Sequence, residues 1–131
     1  MGKDADLAGS REVVDAFLAA SREGSFDALL AVLDPDIVVR SDRAAVSRGA
    51  AREIRGAQAV ARVARAARHL LGHTRFAQPV LVDGAVGIVV APRVGLRFLL
   101  RLTIRHGKIV AIDTVADPAH LHQLRLAVLP D

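Results

Sequence analysis

Apolar residues in the first third of this chain recur at helical spacing. Val13, Phe17 and Ala20 stand at i, i+4 and i+7, and Val14 and Leu18 widen the same stripe. Gly9-Ser10 offers a start and Gly24 a stop for this first helix. Ser25 then predicts the cap of a second helix, with Asp27 in its first turn, Phe26, Leu29, Leu30 and Leu33 apolar, and Asp34-Pro35 ending it. A short strand follows over Ile37 to Ser41, and Asp42 to Gly49 reads as loop. A third helix is expected over about Ala57 to Leu71, burying Val60, Val63, Ala64, Ala67, Leu70 and Leu71 and stopping at Gly72.

Beyond Gly72 the pattern changes to period two. Strands are expected at Thr74–Val82, Ala85–Ala91, Leu96–Arg105 and Lys108–Val115. Asp83-Gly84 and His106-Gly107 supply tight turns, and Pro92 to Gly95 a longer one. Asp117-Pro118 fits an N-cap followed by proline at the first helical position, opening a closing helix through Leu121 and Leu124. Helices first and a contiguous meander last make an α+β chain. Residues 1–9 are expected as a disordered tail and residues 10–131 as one domain.

In Leu96–Arg105 one face carries Leu96, Phe98, Leu100, Leu102 and Ile104, and the other Arg97, Leu99, Arg101, Thr103 and Arg105. Only one face can cover the helices. The second, an apolar centre rimmed by arginine, predicts a homodimer through Arg97, Leu99, Arg101 and Thr103.

Composition trims the chemistry. The 131 residues are 52% hydrophobic, enough for a packed core, yet no apolar run is long enough to span a bilayer. No secretory leader is legible, so a cytoplasmic location is expected. With no Cys, thiolate metal sites and Cys nucleophiles are excluded; with no Tyr or Trp, phenolic donors and most stacking platforms are too. The net charge of +4 is uneven: −5 over residues 1–39, +7 over 40–75 and +2 over 76–131. Arg48, Arg52, Arg55 and Arg62 could share one side of the third helical region, but lack the aromatics or recognition helix that nucleic-acid contacts need, and read as a solvated face.

Several strings, in order, resemble a known family. They are Val14-Asp15-Ala16-Phe17-Leu18, Phe26-Asp27-Ala28-Leu29-Leu30, Leu33-Asp34-Pro35-Asp36, Val38-Val39-Arg40-Ser41-Asp42 and Ile54-Arg55-Gly56-Ala57. They continue with Pro79-Val80-Leu81-Val82-Asp83-Gly84, Gly107-Lys108-Ile109-Val110-Ala111-Ile112, and Ala116-Asp117-Pro118 through to Leu126-Ala127-Val128-Leu129. The chain resembles the SnoaL-like branch of the nuclear transport factor 2-like superfamily, above all the C-terminal domain of actinobacterial extracytoplasmic-function sigma factors. That resemblance implies a cone-shaped fold, with three helices packed on a curved, mainly antiparallel sheet and a short C-terminal helix. It implies a regulatory module whose partners are sigma factor core domains or RNA polymerase, either excised from such a factor or free-standing. Two motifs depart from the family. Asp42-Arg43-Ala44-Ala45-Val46 stands where an Asp-Gly-Gly-Gly-Lys loop is frequent, and Asp117-Pro118-Ala119-His120-Leu121 where Asn-Pro-Asp-Lys-Leu is.

The same resemblance implies a pocket at the open end of the cone, with Phe17, Arg40, Asp42, Phe76, Phe98 and Asp113 as its residues and a small hydrophobic ligand. If the chain is an enzyme of the polyketide cyclase or ketosteroid isomerase type, Asp113 or Asp42 is the candidate base. In a regular strand Asp113 shares its face with Ile109, Ala111 and Val115, where a carboxylate would be placed for general-base work; the alternative is an ion pair with an arginine of the next strand, such as Arg101. Asp42 is otherwise a turn residue. Asp117, Pro118, His120 and Leu121 are the expected sigma-contact motif. His69 with His73, and His120 with His122, do not fall at ligand spacing beside a carboxylate, so no metal and no cofactor is expected.

Overall fold

A computed structural model of the chain describes residues 3–45, 52–68, 77–91 and 98–128. The elements are α1 (Lys3–Glu23), α2 (Phe26–Val32), β1 (Leu33–Ser41), a 3-10 turn (Arg43–Ala45), β2 (Glu53–Arg55), α3 (Ala57–Ala66), β3 (Ala77–Val82), β4 (Ala85–Val90), β5 (Phe98–Arg105), β6 (Lys108–Val115), α4 (Pro118–Gln123) and β7 (Leu126–Val128). Seven strands form one curved, open sheet in the order β2-β1-β6-β5-β4-β3-β7. Only β1 and β6 pair in parallel; all other neighbours are antiparallel.

The helical stripe packs as its spacing requires. Val13, Val14, Phe17, Leu18 and Ala20 of α1 are buried, and α1 packs on α2 and on β4. Gly24, at φ +67°, turns the chain, and the Ser25 hydroxyl accepts from Ala28 N at 3.2 Å to cap α2. From the sheet, Val86, Ile88, Val90, Leu100, Leu102, Ile109 and Ile112 meet this layer, and α3 closes it with Val60, Ala61 and Ala64. Among the described residues no helix is long and apolar enough to cross a membrane.

Several boundaries differ from the sequence reading. Helix α1 begins at Lys3, within the stretch expected as tail. Helix α2 runs straight into β1 at Leu33, so Asp34-Pro35 lies inside a strand, where the β1–β6 register is irregular between Leu33 and Val38. Val63, expected inside, is 50% exposed, while Val60, Ala61 and Ala64 are the buried residues of α3. Leu70, Leu71, Gly72 and residues 74–76 lie outside the described residues, as do Leu96 and Arg97. The short strands β2 and β7 were not expected; β7 pairs with β3 and closes the far edge of the sheet.

The second face of the sheet is also partly covered by the chain itself. Leu99 is fully buried, and Val82 and Val115 nearly so, although all three point away from the main core. Residues 116–125 join β6 to β7, which lies beyond β5, β4 and β3 in the sheet order, so this connection must cross those strands. It carries half-buried Leu121 and Leu124, and it is tied at its far end by Asp83 N to Arg125 O (2.8 Å) and Arg125 N to Asp83 Oδ1 (2.9 Å). The apolar centre expected at a dimer contact, Leu99, is therefore interior.

Candidate functional site

Asp42 sits where β1 ends, and its backbone N–H donates to Thr114 O of the parallel neighbour β6 at 3.0 Å. Its carboxylate accepts three backbone hydrogen bonds: from Ala45 N at 2.9 Å, from Ala116 N at 2.9 Å and from Asp117 N at 3.0 Å. Partial burial pushes this carboxyl up, but the N–H groups of Asp117, Ala116 and Ala45, with His120 adding a positive field, together hold it below the ordinary carboxylate value. A carboxylate engaged in this way is a staple. It joins the turn after β1 to the start of α4, and so brings the two motif segments, Asp42 onward and Asp117 to Leu121, into one surface.

Asp117 occupies the N-cap position of α4, but its side chain makes no cap hydrogen bond. The carboxylate that reaches this helix start belongs to Asp42. The expected role of Asp117 as a side-chain cap is thus corrected: a distant residue binds the N–H groups that approach the helix. Pro118 is at the first helical position as expected, and His120 and Leu121 are half-buried in the first turns.

Asp113 is exposed on β6, away from the core. The physical reason is a β-bulge. Leu102 pairs with Ile112 and Thr103 with Ala111, but Ile104 pairs with Ile109, so Val110 is an extra residue that resets the alternation. Ile109 and Ile112 both turn inward, and Asp113 turns out with Ala111, directly opposite Arg101 on β5 and opposite Arg40 on β1. The general-base environment expected from regular alternation does not form at Asp113. Arg40 is exposed and donates from Nε to Glu53 Oε1 at 3.3 Å, while Arg55 reaches Glu53 Oε2 at 2.8 Å. These two hydrogen bonds, Arg55 first, hold the Glu53 carboxyl below its ordinary value. Arg55 lies in β2, so it does not share a helix with Arg62.

Phe17 is buried in the core and Phe98 packs half-buried against it, while Phe76 lies outside the described residues. The expected pocket set is therefore divided between the interior and the outer surface. Among the described residues, a groove of about 760 Å³ between α1 and the β5–β6 turn is lined by Glu12, Val13, Ala16, Val32, Ile104 and His106. It opens at the turn that begins β6, whereas Asp42 stands beyond Thr114 at the other end of the strand. Among the described residues no group of His, Asp or Glu has the arrangement of a metal site, and the one buried polar side chain is Ser21, whose hydroxyl donates to Phe17 O at 2.9 Å.

No protein-family model matches the chain, and no curated protein matches it. Solved structures do. The extracytoplasmic function sigma factor SigJ of Mycobacterium tuberculosis is 27% identical over 84% of this chain, with a TM-score of 0.68. This chain spans 42% of that sigma factor's length. A nuclear transport factor 2-like protein from Burkholderia xenovorans LB400 is 16% identical, covering 95% of this chain and 87% of its own, at a TM-score of 0.54. An LEH-like epoxide hydrolase from M. tuberculosis is 21% identical, covering 88% and 84%, at 0.52. The last two are likenesses of fold alone. The open mixed sheet, the helices on its inner face and these structural matches together give the chain a SnoaL-like, nuclear transport factor 2-like fold.

Proposed function

We propose that this chain is a non-catalytic regulatory domain that modulates an extracytoplasmic-function sigma factor in the cytoplasm, by contacting the factor's core domains or RNA polymerase. The observation that carries this reading is the interior: among the described residues it is packed with aliphatic side chains and Phe17, and its one polar side chain, Ser21, is satisfied by its own helix. A general base for polyketide or steroid chemistry needs a carboxylate or imidazole facing a substrate cavity. Asp113 faces outward, and Asp42 has its acceptor capacity engaged by three backbone N–H groups. In this reading α1, α2 and α3 fill the cone instead of leaving it open for a substrate.

The contact surface is the joined pair of motifs. Asp42 to Ala45 and Asp117 to Leu121 are adjacent through the Asp42 carboxylate, and they present Arg43, Asp117, Pro118 and His120 together. The likeness to SigJ, which exceeds those to the nuclear transport factor 2-like protein and the epoxide hydrolase in both identity and TM-score, supports the assignment. Calorimetric titration against the promoter- and polymerase-binding domains of an extracytoplasmic-function sigma factor tests it. Binding that Pro118→Ala with His120→Ala weakens is the expected result. Absence of heat at tens of micromolar, together with ring-ligand density among the core residues after soaking, would replace it with a cyclase- or isomerase-type enzyme.

A further inference from the structure

Between β6 and β7 the chain crosses the outer face of the sheet on residues 116–125, and at each end an aspartate from a distant turn holds its backbone. At the near end Asp42 Oδ2 accepts from Ala116 N at 2.9 Å and from Asp117 N at 3.0 Å. At the far end Asp83 Oδ1 accepts from Arg125 N at 2.9 Å, and Asp83 N donates to Arg125 O at 2.8 Å. Beyond Arg125 the three-residue β7 continues the attachment, pairing Leu126, Ala127 and Val128 with Val82, Leu81 and Val80. The stretch between the two clasps contributes less. From Asp117 to Ala127 no residue is buried, and α4 is six residues long, too short to stand as a helix on its own. On the sheet the opposite holds, since Leu99, Val82 and Val115 are buried outside the main core.

We propose that residues 116–128 form a strap that opens and closes as one unit, and that Asp83, by clasping its far end, is a positioning residue for the contact surface at its near end. The regulatory half of this inference rests on the function proposed above. Asp42 to Ala45 and Asp117 to Leu121 make one surface only while the Asp42 carboxylate holds Ala116 and Asp117, and an open strap parts them. Asp83 belongs to neither segment. It stands in the β3–β4 turn at φ +51°, and its Oδ2 lies 4.0 Å from Arg101 of β5, so the clasp is anchored on the sheet. Once Arg125 and β7 are released, the chain entropy regained by the freed residues acts against the two hydrogen bonds left at Asp42. Loss of the far clasp therefore loosens the near one. By linkage, a partner that binds the joined surface favours the closed strap and protects the Arg125 N–H at the other end of the crossing.

Amide hydrogen exchange followed by NMR reads the strap residue by residue. In wild type the N–H groups of Ala116, Asp117, Arg125 and β7 should share one dependence on added urea and open more readily than those of α1 and β5. Asp83→Gly deletes the carboxylate while keeping a residue suited to positive φ, and Asp83→Asn keeps an Oδ1 acceptor. In Asp83→Gly all the strap groups, Ala116 and Asp117 included, should exchange about tenfold faster or more, with α1 and β5 unchanged. Asp83→Asn should restore the wild-type rates. Calorimetry against the sigma factor domains then reads the regulation: Asp83→Gly should raise the dissociation constant about fivefold or more, and Asp83→Asn should recover it. Adding those domains to wild type should slow exchange at Arg125. Protection kept at Ala116 and Asp117 while Arg125 and β7 lose theirs would mean an end that frays, and overturns the proposal. So does acceleration spread equally over α1 and β5, and so does an affinity that Asp83→Gly leaves unchanged although the strap exchanges faster. Wild type that binds no sigma domain refutes the proposed function and the regulatory role with it, while the exchange pattern still decides whether the strap opens as one unit.

Discussion

The Asp42 carboxylate accepts a hydrogen bond from the backbone N–H of Asp117 at 3.0 Å, across 75 positions of sequence. The same oxygen accepts from Ala116 N, and the other carboxylate oxygen from Ala45 N. One side chain thereby fixes where the chain leaves β6 and begins its crossing of the outer sheet face. In a regulator of the kind proposed, the same side chain would also set the geometry of the contact surface.

Removing that staple should be costly, and removing its apparent neighbour should not. Asp42→Ala is expected to lower stability by about 3 kcal/mol, the loss of charge-assisted hydrogen bonds to partly buried N–H groups. Asp117→Ala should stay within about 0.5 kcal/mol of wild type, because that side chain caps nothing. Urea unfolding of the two variants compares them directly, and the reverse order would show that the capping assignment is mistaken.

The same carboxylate gives the fold an acid sensitivity. Its folded-state pKa lies below the ordinary 3.8, so its contribution is present above that value and is lost as the pH falls through the depressed one. Glu53, also lowered, contributes with the same sign but at a solvent-exposed site. Stability measured from about pH 5 down to about pH 2 should fall for wild type and fall less steeply for Asp42→Asn, which no longer titrates. Parallel curves would place the acid sensitivity elsewhere.

Gly87 is required by close packing rather than by its turn propensity. A Cβ there would lie 2.7 Å from Leu100 O and 2.8 Å from Val82 Cγ2. Backbone cannot retreat as a flexible side-chain end can, so Gly87→Ala should cost about 2 kcal/mol and lower the thermal midpoint by several degrees. An unchanged midpoint would mean that β4 and β5 can part at this point.

Leu99 tests whether the outer face is covered by its own chain. Leu99→Ala should destabilise the protein by about 3 kcal/mol, as for any fully buried leucine, and Leu99→Glu should prevent stable folding. If Leu99→Glu folds with wild-type stability and alters only association, the residue belongs to an interface after all.

What the sequence determined by itself is local. The Val13, Phe17 and Ala20 stripe needs only a helix turn of 3.6 residues to face one way, and it is buried as its spacing demands. Asp83-Gly84 and His106-Gly107 adopt positive φ at both residues, +51° and +88°, then +53° and +76°, so the hairpins were legible from two adjacent residues. The boundaries of β6 were legible too, but not the side on which Asp113 emerges. That depends on Val110 being squeezed out of the β5–β6 register, which is settled by packing Ile109 and Ile112 into the same core. The parallel pairing of β1 with β6, the addition of β7 beside β3 and the Asp42 staple join residues that alternation and propensity treat as unrelated. Their physical cause is the need to bury both faces of part of the sheet and to satisfy the N–H groups of the crossing chain, which only the assembled tertiary structure imposes.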